Sequence, residues 1–315
     1  MNNKIIAVTG ATGAQGGGLV RAILSAPDSG FQVRAITRDV NSDKAKALAA
    51  LGVELVTADL DDRASLERAF AGAYGAFCIT NFWEHFSAEK EVAQADNMAH
   101  AAKAAGVQHV IWSSLEDTRL SIPLDDPRMP VLHEKYKVPH FDGKGEADLL
   151  FKKLGLPVTI LLTSFYWENF IYFGLGPVRG QDGKLGITFP IGDAKLPGIA
   201  AGDIGKCAFG IFQNGKEYIG KTVGIAGEHL TGNEMASSFT KALGKEVVFN
   251  DVSPDVYRTF PFPGAVEMGN MFQYKRDCEA DFCGARDLTV ARRLNPELMN
   301  FDSWLGGHAG MIKAE

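Results

Sequence analysis

Residues 5–24 read IIAVTGATGAQGGGLVRAIL, and six of the eight positions from Gly10 to Gly17 are glycine or alanine. An apolar run stands before them and a helical pattern after, so nearly bare backbone is concentrated at a turn between strand and helix. Gly10, Gly13 and Gly16 fall in the spacing G-x-x-G-x-x-G. In that setting Gly10 permits a tight turn, Gly13 leaves room for a pyrophosphate, and Gly16 lets helix and strand approach closely. The free N–H groups at the helix start, with the helix dipole behind them, favour phosphate charge. Gly10, Ala11, Thr12, Gly13, Ala14, Gln15 and Gly16 are therefore expected to hold a dinucleotide.

Working outward, the first half alternates β-type runs with helical patterns. The runs are KIIAVTG (4–10), QVRAITR (32–38), VELVTAD (53–59), GAFCIT (75–80), HVIWSS (109–114) and PVTILLTS (157–164). Between them, apolar residues recur at i, i+3 and i+4, as at Leu66, Ala69 and Phe70. Such alternation implies βαβ units and a parallel sheet covered on both faces, an α/β Rossmann-type doubly wound fold. Pro123, Pro127, Pro130 and Pro139 mark a long loop from Leu120 to Pro139. Beyond Tyr166 the chain turns aromatic- and glycine-rich. The expected organisation is a Rossmann domain over 1–156 whose sheet the 157–164 strand joins, then a smaller C-terminal α/β domain for substrate or partner over 165–315.

The end of the second strand decides which dinucleotide binds. An acidic residue there suits the ribose 2′-OH of NAD, and an arginine suits a 2′-phosphate. Arg38 holds that place, with Lys44 and Lys46 following and Asp39 one position late. NADP(H) is therefore expected in preference to NAD(H); the alternative is that Arg38 is a solvated strand-end charge. Asp59 and Leu60 stand where such a sheet meets adenine. Thr80, Asn81 and Phe82 stand at the edge facing ribose and nicotinamide.

A net charge of −6 over 315 residues argues against direct nucleic-acid binding. No window approaches the 18 or so apolar residues of a membrane span, and the N-terminal run lacks a signal-peptide pattern, so a cytoplasmic protein is expected. Four cysteines are too few for a disulfide scaffold, and Cys278 with Cys283 lacks a second ligand pair, so no metal is expected.

The segments VTGATGAQGG, VTADLDD, ITNFWE, HFDGKGEAD and YWEN, with the tail RRLNPELMNFDSWL, resemble the NmrA-like family, atypical members of the short-chain dehydrogenase/reductase superfamily. Within it the chain is most similar to vertebrate members that sense NADPH. The resemblance implies NADP contacts at the positions above, and adds Lys144 and the stretch Tyr166, Trp167, Glu168 and Asn169. It weakens across Leu120–Pro139 and Phe173–Gly186.

Hydride transfer in that superfamily uses a tyrosine in Y-x-x-x-K as proton donor, its lysine one turn away on the same helix face. Here Lys144 is present, but His140 stands in the tyrosine's place, and Ser113 or Ser114 covers the serine position. Lys144, His140 and Ser114 are the candidate catalytic residues. An imidazole exchanges protons near neutrality, so His140 and Lys144 form one candidate pair. The other reading has His140 opening the helix, with Phe141 packing and Asp142 capping. Tyr136, eight residues before Lys144 and beyond Pro139, is poorly placed to substitute. The aromatic run from Phe165 to Phe173 suits either a pocket for a planar substrate or an interface core, and His85 a structural role.

Of two functions, the first is the one expected and the second its alternative. One is a redox sensor that binds NADPH, with little dehydrogenase activity, and passes its state to a regulatory protein partner or a second copy of itself. The other is a reductase of a quinone or other small aromatic or carbonyl substrate that uses Lys144.

Overall fold

The structure, a computed structural model, describes residues 3–180 and 182–314. Six strands follow the expected runs: β1 (Lys4–Val8), β2 (Phe31–Thr37), β3 (Glu54–Thr57), β4 (Gly75–Cys78), β5 (His109–Ser114) and β6 (Val158–Leu162). Helices α1 (Ala14–Leu24), α2 (Asp43–Ala50), α3 (Arg63–Phe70), α4 (Ala88–Ala104) and α5 (Pro139–Lys153) alternate with them. Their starts are read from side chains: Ser42, Asp62 and Ser87 cap α2, α3 and α4 by accepting a backbone N–H three residues on.

The later half contributes strands β7 (Phe165–Tyr166), β8 (Val178–Arg179), β9 (Leu185–Phe189), β10 (Leu196–Ile199), β11 (Thr222–Gly224), β12 (Glu228–Leu230) and β13 (Val247–Asp251). Its helices are α6 (Asn169–Tyr172), α7 (Ala201–Gln213), α8 (Gly215–Tyr218), α9 (Gly232–Leu243), α10 (Pro254–Arg258), α11 (Ala265–Asp277), α12 (Glu279–Gly284), α13 (Leu288–Leu294) and α14 (Phe301–His308).

The main sheet is parallel throughout, in the order β11-β6-β5-β4-β1-β2-β3. Strand order reverses at β1, which lies between β2 and β4, and the crevice at that switch point is where such sheets bind ligands. Buried Ile6 and Val8 on β1 pack toward α1 and α7 on one face, and Ala7 toward α3, α4 and α5 on the other.

Helices α1 and α7 cross at backbone contact. A Cβ added to Gly18 would stand 2.3 Å from the Gly202 carbonyl oxygen, and one added to Gly205 would stand 2.0 Å from the Leu19 nitrogen. Together with β11, this corrects the boundary at residue 165: strand 222–224 completes the Rossmann sheet and helix 201–213 covers its face. The rest of the later half forms two small three-stranded sheets, β12-β10-β7 and β13-β9-β8, on an aromatic core that includes Phe165, Phe170, Phe189, Phe272 and Trp304. Among the described residues no helix is long and apolar enough to cross a membrane.

Candidate functional site

The turn after β1 has the form the glycines predict. Gly10 sits at φ +60°, and a Cβ on Gly16 would fall 2.4 Å from the Gly10 carbonyl oxygen, which requires glycine there. Gly13 is the N-cap of α1 and has no side chain to cap it, and no acidic residue occupies the first turn. The first intrahelical bond runs from the Gly17 N–H to the Gly13 carbonyl, leaving the N–H groups of Ala14, Gln15 and Gly16 without a helical acceptor. This cradle suits a pyrophosphate. A solvent-open hollow of 590 Å³ lined by Asn3, Lys4, Tyr74 and Gly106 lies at the opposite edge of the strands, away from these groups.

At the end of β2, Arg38 is exposed and pairs with Glu84. Because β2 and β4 flank β1, that ion pair spans the carboxyl end of β1. Asp39 is turned into its own loop, its Oδ1 accepting the Asn41 N–H, so it makes no ribose clamp. Asp59 is exposed past β3, where its Oδ1 accepts the Asp61 N–H. Leu60 beside it is half-buried, Asn81 is exposed and Phe82 is buried.

At the other end, Lys144 projects from α5 into a set of three acceptors. Its Nζ donates to Thr80 Oγ1 at 2.8 Å and the Ser113 carbonyl at 3.2 Å, and pairs with Glu91 Oε1 at 2.8 Å. Thr80 donates its own proton to the same carboxylate, and the Trp112 ring lies 4.7 Å from the ammonium. Glu91 is fully buried on α4, and the sequence reading missed it. His85 lies next to it, its Nε2 3.8 Å from Glu91 Oε2.

The two serines divide by strand alternation. Ser113 donates to Gln15 Oε1 at 2.8 Å, and Gln15 Nε2 donates to the Tyr166 hydroxyl, so Ser113, Gln15 and Tyr166 form one chain beside the glycine turn. Ser114 turns to the opposite face and donates to Asp148 Oδ1 at 2.6 Å. That corrects its candidacy: the side chain at the groove is Ser113. Burial pushes the Tyr166 hydroxyl up to about 12, which makes it a poor proton donor at neutral pH.

His140 is buried and more than a helix opener. Its backbone N–H and its Nδ1 both reach Glu267 Oε1 on α11, at 2.8 and 2.7 Å. A carboxylate oxygen accepts in such a contact, which assigns the hydrogen to Nδ1. The ring packs against Phe82 and Trp83, with centroids 5.6 and 5.0 Å away. The cap of α5 also differs from expectation. Val138 is the N-cap, while Asp142 sits inside the helix and accepts from the backbone of Thr118, Lys137 and Val138.

Within the YWEN stretch, Tyr166 alone joins the groove network. Trp167 is buried against Phe301 and Trp304 in the C-terminal core. Glu168 is committed to holding that lobe together, accepting from the Ala201 N–H and from Trp304 Nε1. Asn169 starts α6 and is half-buried. Phe165 and Phe170 belong to the core, while Tyr172 and Phe173 are exposed. Among the described residues no group of His, Cys, Asp and Glu forms a metal cluster.

A family model described as NmrA-like family matches residues 2–305. The NmrA-like family domain-containing oxidoreductase FrzB of Cladobotryum sp is 30% identical over 286 residues, covering 84% of this chain and 80% of that one. Crystal structures of NmrA, a negative transcriptional regulator, in complex with NAD and with NADP superpose with a TM-score of 0.79 at 24% identity, over 97% of this chain and 95% of theirs. The triphenylmethane reductase of Citrobacter sp., complexed with NADP(H), superposes with a TM-score of 0.76 at 24% identity, over 96% of this chain and 99% of that one.

Proposed function

The chain belongs to the NmrA-like family, and from that premise we propose that it is an NADP(H)-dependent reductase of a planar conjugated carbonyl compound. The observation that carries this reading is His140: a buried carboxylate fixes its imidazole against Phe82 and Trp83, one helical turn from Lys144. A groove that only binds a dinucleotide has no need of such an arrangement. NADPH bound on the glycine turn would supply hydride. Arg38, with Lys44 and Lys46 near it, would favour a 2′-phosphate once Glu84 yields, and the fold-mates' complexes with NAD and NADP support a dinucleotide there. Lys144 stands at the carboxyl edge of β4 and β5, where its side chain would help to orient a substrate oxygen beside the nicotinamide. His140 carries the proton exchanged with that oxygen, and Glu267 keeps Nδ1 protonated meanwhile.

The test is NADPH oxidation by the purified protein against quinones, aromatic aldehydes and dyes, with binding followed by nicotinamide fluorescence. Turnover that falls at least about a hundredfold in His140→Asn, with NADPH affinity kept, fits the lower end of a general-acid contribution. Unchanged turnover removes His140 from the chemistry.

A second reading is favoured by the same lysine. All three Lys144 N–H bonds are taken inside the protein, by Thr80, Ser113 and Glu91. A site that binds NADPH without turning it over would report the cofactor to a protein partner. That requires a conformation with different NADPH affinity. Tight NADPH binding with no oxidation of any compound, and a change in association state or protease sensitivity, is its signature.

A further inference from the structure

The Glu91 carboxylate is fully buried, yet one of its two oxygens is unused. Oε1 takes both Lys144 Nζ and the Thr80 hydroxyl, while Oε2 has no hydrogen-bond partner among the described residues. His85 Nε2 is buried and lacks a partner as well, and it stands 3.8 Å from Oε2, about 1 Å beyond a charge-assisted hydrogen bond. The ring's other nitrogen assigns its charge. Nδ1 receives the Ser87 backbone N–H at 3.2 Å, and a backbone N–H only donates, so the hydrogen belongs to Nε2. His85 is thus a neutral imidazole with an unused N–H beside an unused carboxylate oxygen.

This pair adjoins the groove through contacts. Lys144 also donates to the Ser113 carbonyl, the Ser113 hydroxyl holds Gln15 on the glycine turn, and the Glu91 charge acts on the Tyr166 hydroxyl. The Lys144 N–H bonds run to Thr80, Ser113 and Glu91, so an ammonium that turns to a ligand oxygen must give up at least one of them. Leaving Glu91 would strand a buried carboxylate, which is strongly unfavourable unless another donor takes its place. The remaining charges around His85 are already paired: Asp61 with Lys90, Glu84 with Arg38, Glu89 with Lys135 and, beyond Phe82, His140 with Glu267. His85 Nε2 is the unpartnered donor that faces Oε2.

We propose that His85 replaces Lys144 at Glu91 when Lys144 turns to an oxygen of the bound dinucleotide, and that it takes up a proton in doing so. The ring leaves Ser87, Nε2–H closes on Oε2, and Nδ1 accepts a proton from solvent, to which the side chain is 12% exposed. The buried carboxylate keeps a cation throughout, and the proton returns to water when the ligand leaves. His85 is a positioning residue: it lets the lysine go without touching the ligand itself. The inference deepens the NADP(H) site proposed above and rests on that reading.

The experiment is calorimetric titration of NADP+ into the protein at pH 7.5, in buffers of different ionisation enthalpy, which counts the protons taken up on binding without any turnover. His85→Gln keeps an amide donor for Glu91 and cannot take up a proton. The wild type is expected to take up at least about 0.3 proton more than this variant, and by linkage its affinity should fall about twofold more per pH unit between pH 7 and 8. The 2′-phosphate titrates alike in both proteins and cancels in the difference. Lys144→Met has no lysine to release, so its uptake should match that of His85→Gln. Equal uptake in the wild type and His85→Gln, or an excess kept in Lys144→Met, would overturn the exchange while leaving the reductase reading intact. If His85→Gln does not fold, the comparison with Lys144→Met decides. NADP+ that fails to bind the wild type removes the reading of the site, and the exchange with it.

Discussion

Removing the Glu91 carboxylate tests whether the Lys144 site is held by charge. The Glu91 side chain has no exposure and that of Lys144 has 12%, with Nζ and Oε1 2.8 Å apart. Breaking a buried pair typically costs about 3–5 kcal/mol, because the surviving charge is left uncompensated. In Glu91→Ala, Lys144 keeps Thr80, the Ser113 carbonyl and the Trp112 face, and reaches some water, so the lower end applies, about 3 kcal/mol. Glu91→Gln retains an acceptor and loses the charge, for about 1–2 kcal/mol. Lys144→Met leaves a fully buried carboxylate with the Thr80 hydroxyl and His85 3.8 Å away, and is the costlier half, about 4 kcal/mol. The double variant Glu91→Ala/Lys144→Met leaves neither charge, so the coupling energy should reach about 3 kcal/mol. Urea unfolding followed by tryptophan fluorescence reads this directly. With a slope of about 3 kcal/mol per molar, Glu91→Ala lowers the midpoint by about 1 M. Single-variant losses that add up in the double to within about 0.5 kcal/mol would refute the pair as a unit.

Three other outcomes follow from the geometry. Gly18→Ala drives a Cβ to 2.3 Å from the Gly202 carbonyl and should cost about 3 kcal/mol, whereas Gly306→Ala, in open space on α14, should gain about 0.5–1 kcal/mol; paired melting curves compare them. Glu84→Gln releases Arg38 and should tighten NADPH several-fold while leaving NADH unchanged, and Arg38→Ala should weaken NADPH about tenfold or more; fluorescence titration with both cofactors decides, and equal effects on the two would remove Arg38 from 2′-phosphate recognition. Burial pulls the His109 imidazole down to about 4, so this buried side chain stays neutral in the fold and gains its proton on unfolding. Its contribution is intact above about pH 6.5 and is lost as pH falls toward 4, so His109→Gln should flatten that limb of the stability–pH curve relative to the wild type.

What sequence could and could not deliver divides along contact distance in the chain. The Rossmann half was legible because each signal is local: the glycines need their own turn, and helix caps lie three residues from the N–H they accept. The strand ends that share one edge could be placed for a related reason, since a parallel sheet delivers the ends of consecutive strands to one edge, and strand ends can be counted. Ser113 and Ser114 show the limit of counting. Both end β5, but alternation sends one hydroxyl to Gln15 on α1 and the other to Asp148 on α5, and the choice depends on strand phase rather than composition. Strand β11 failed differently, being three residues long and recognised only by the β6 edge it completes.

The buried partners of the candidate site residues were invisible for a third reason. Glu91 sits mid-helix in α4, with the look of an ordinary surface charge, and becomes a fully buried ligand to Lys144 only because α4 packs on α5. Helix α11 carries three such cases on one short element. Glu267 reaches back 127 residues to His140, Asn270 and Gln273 hold the 120–139 loop by its carbonyls, and Lys275 lies among core aromatic rings. Read as sequence, AVEMGNMFQYKRD is a helix with no sharp apolar stripe, because its polar residues face protein rather than water. A polar residue at a buried helix position is expensive unless partnered, so a helix that buries Glu267, Asn270, Gln273 and Lys275 at once is specified by what it touches. Three of the four find hydrogen-bond partners in the fold, and Lys275 is instead enclosed by the faces of Phe141, Phe165, Phe272 and Phe282.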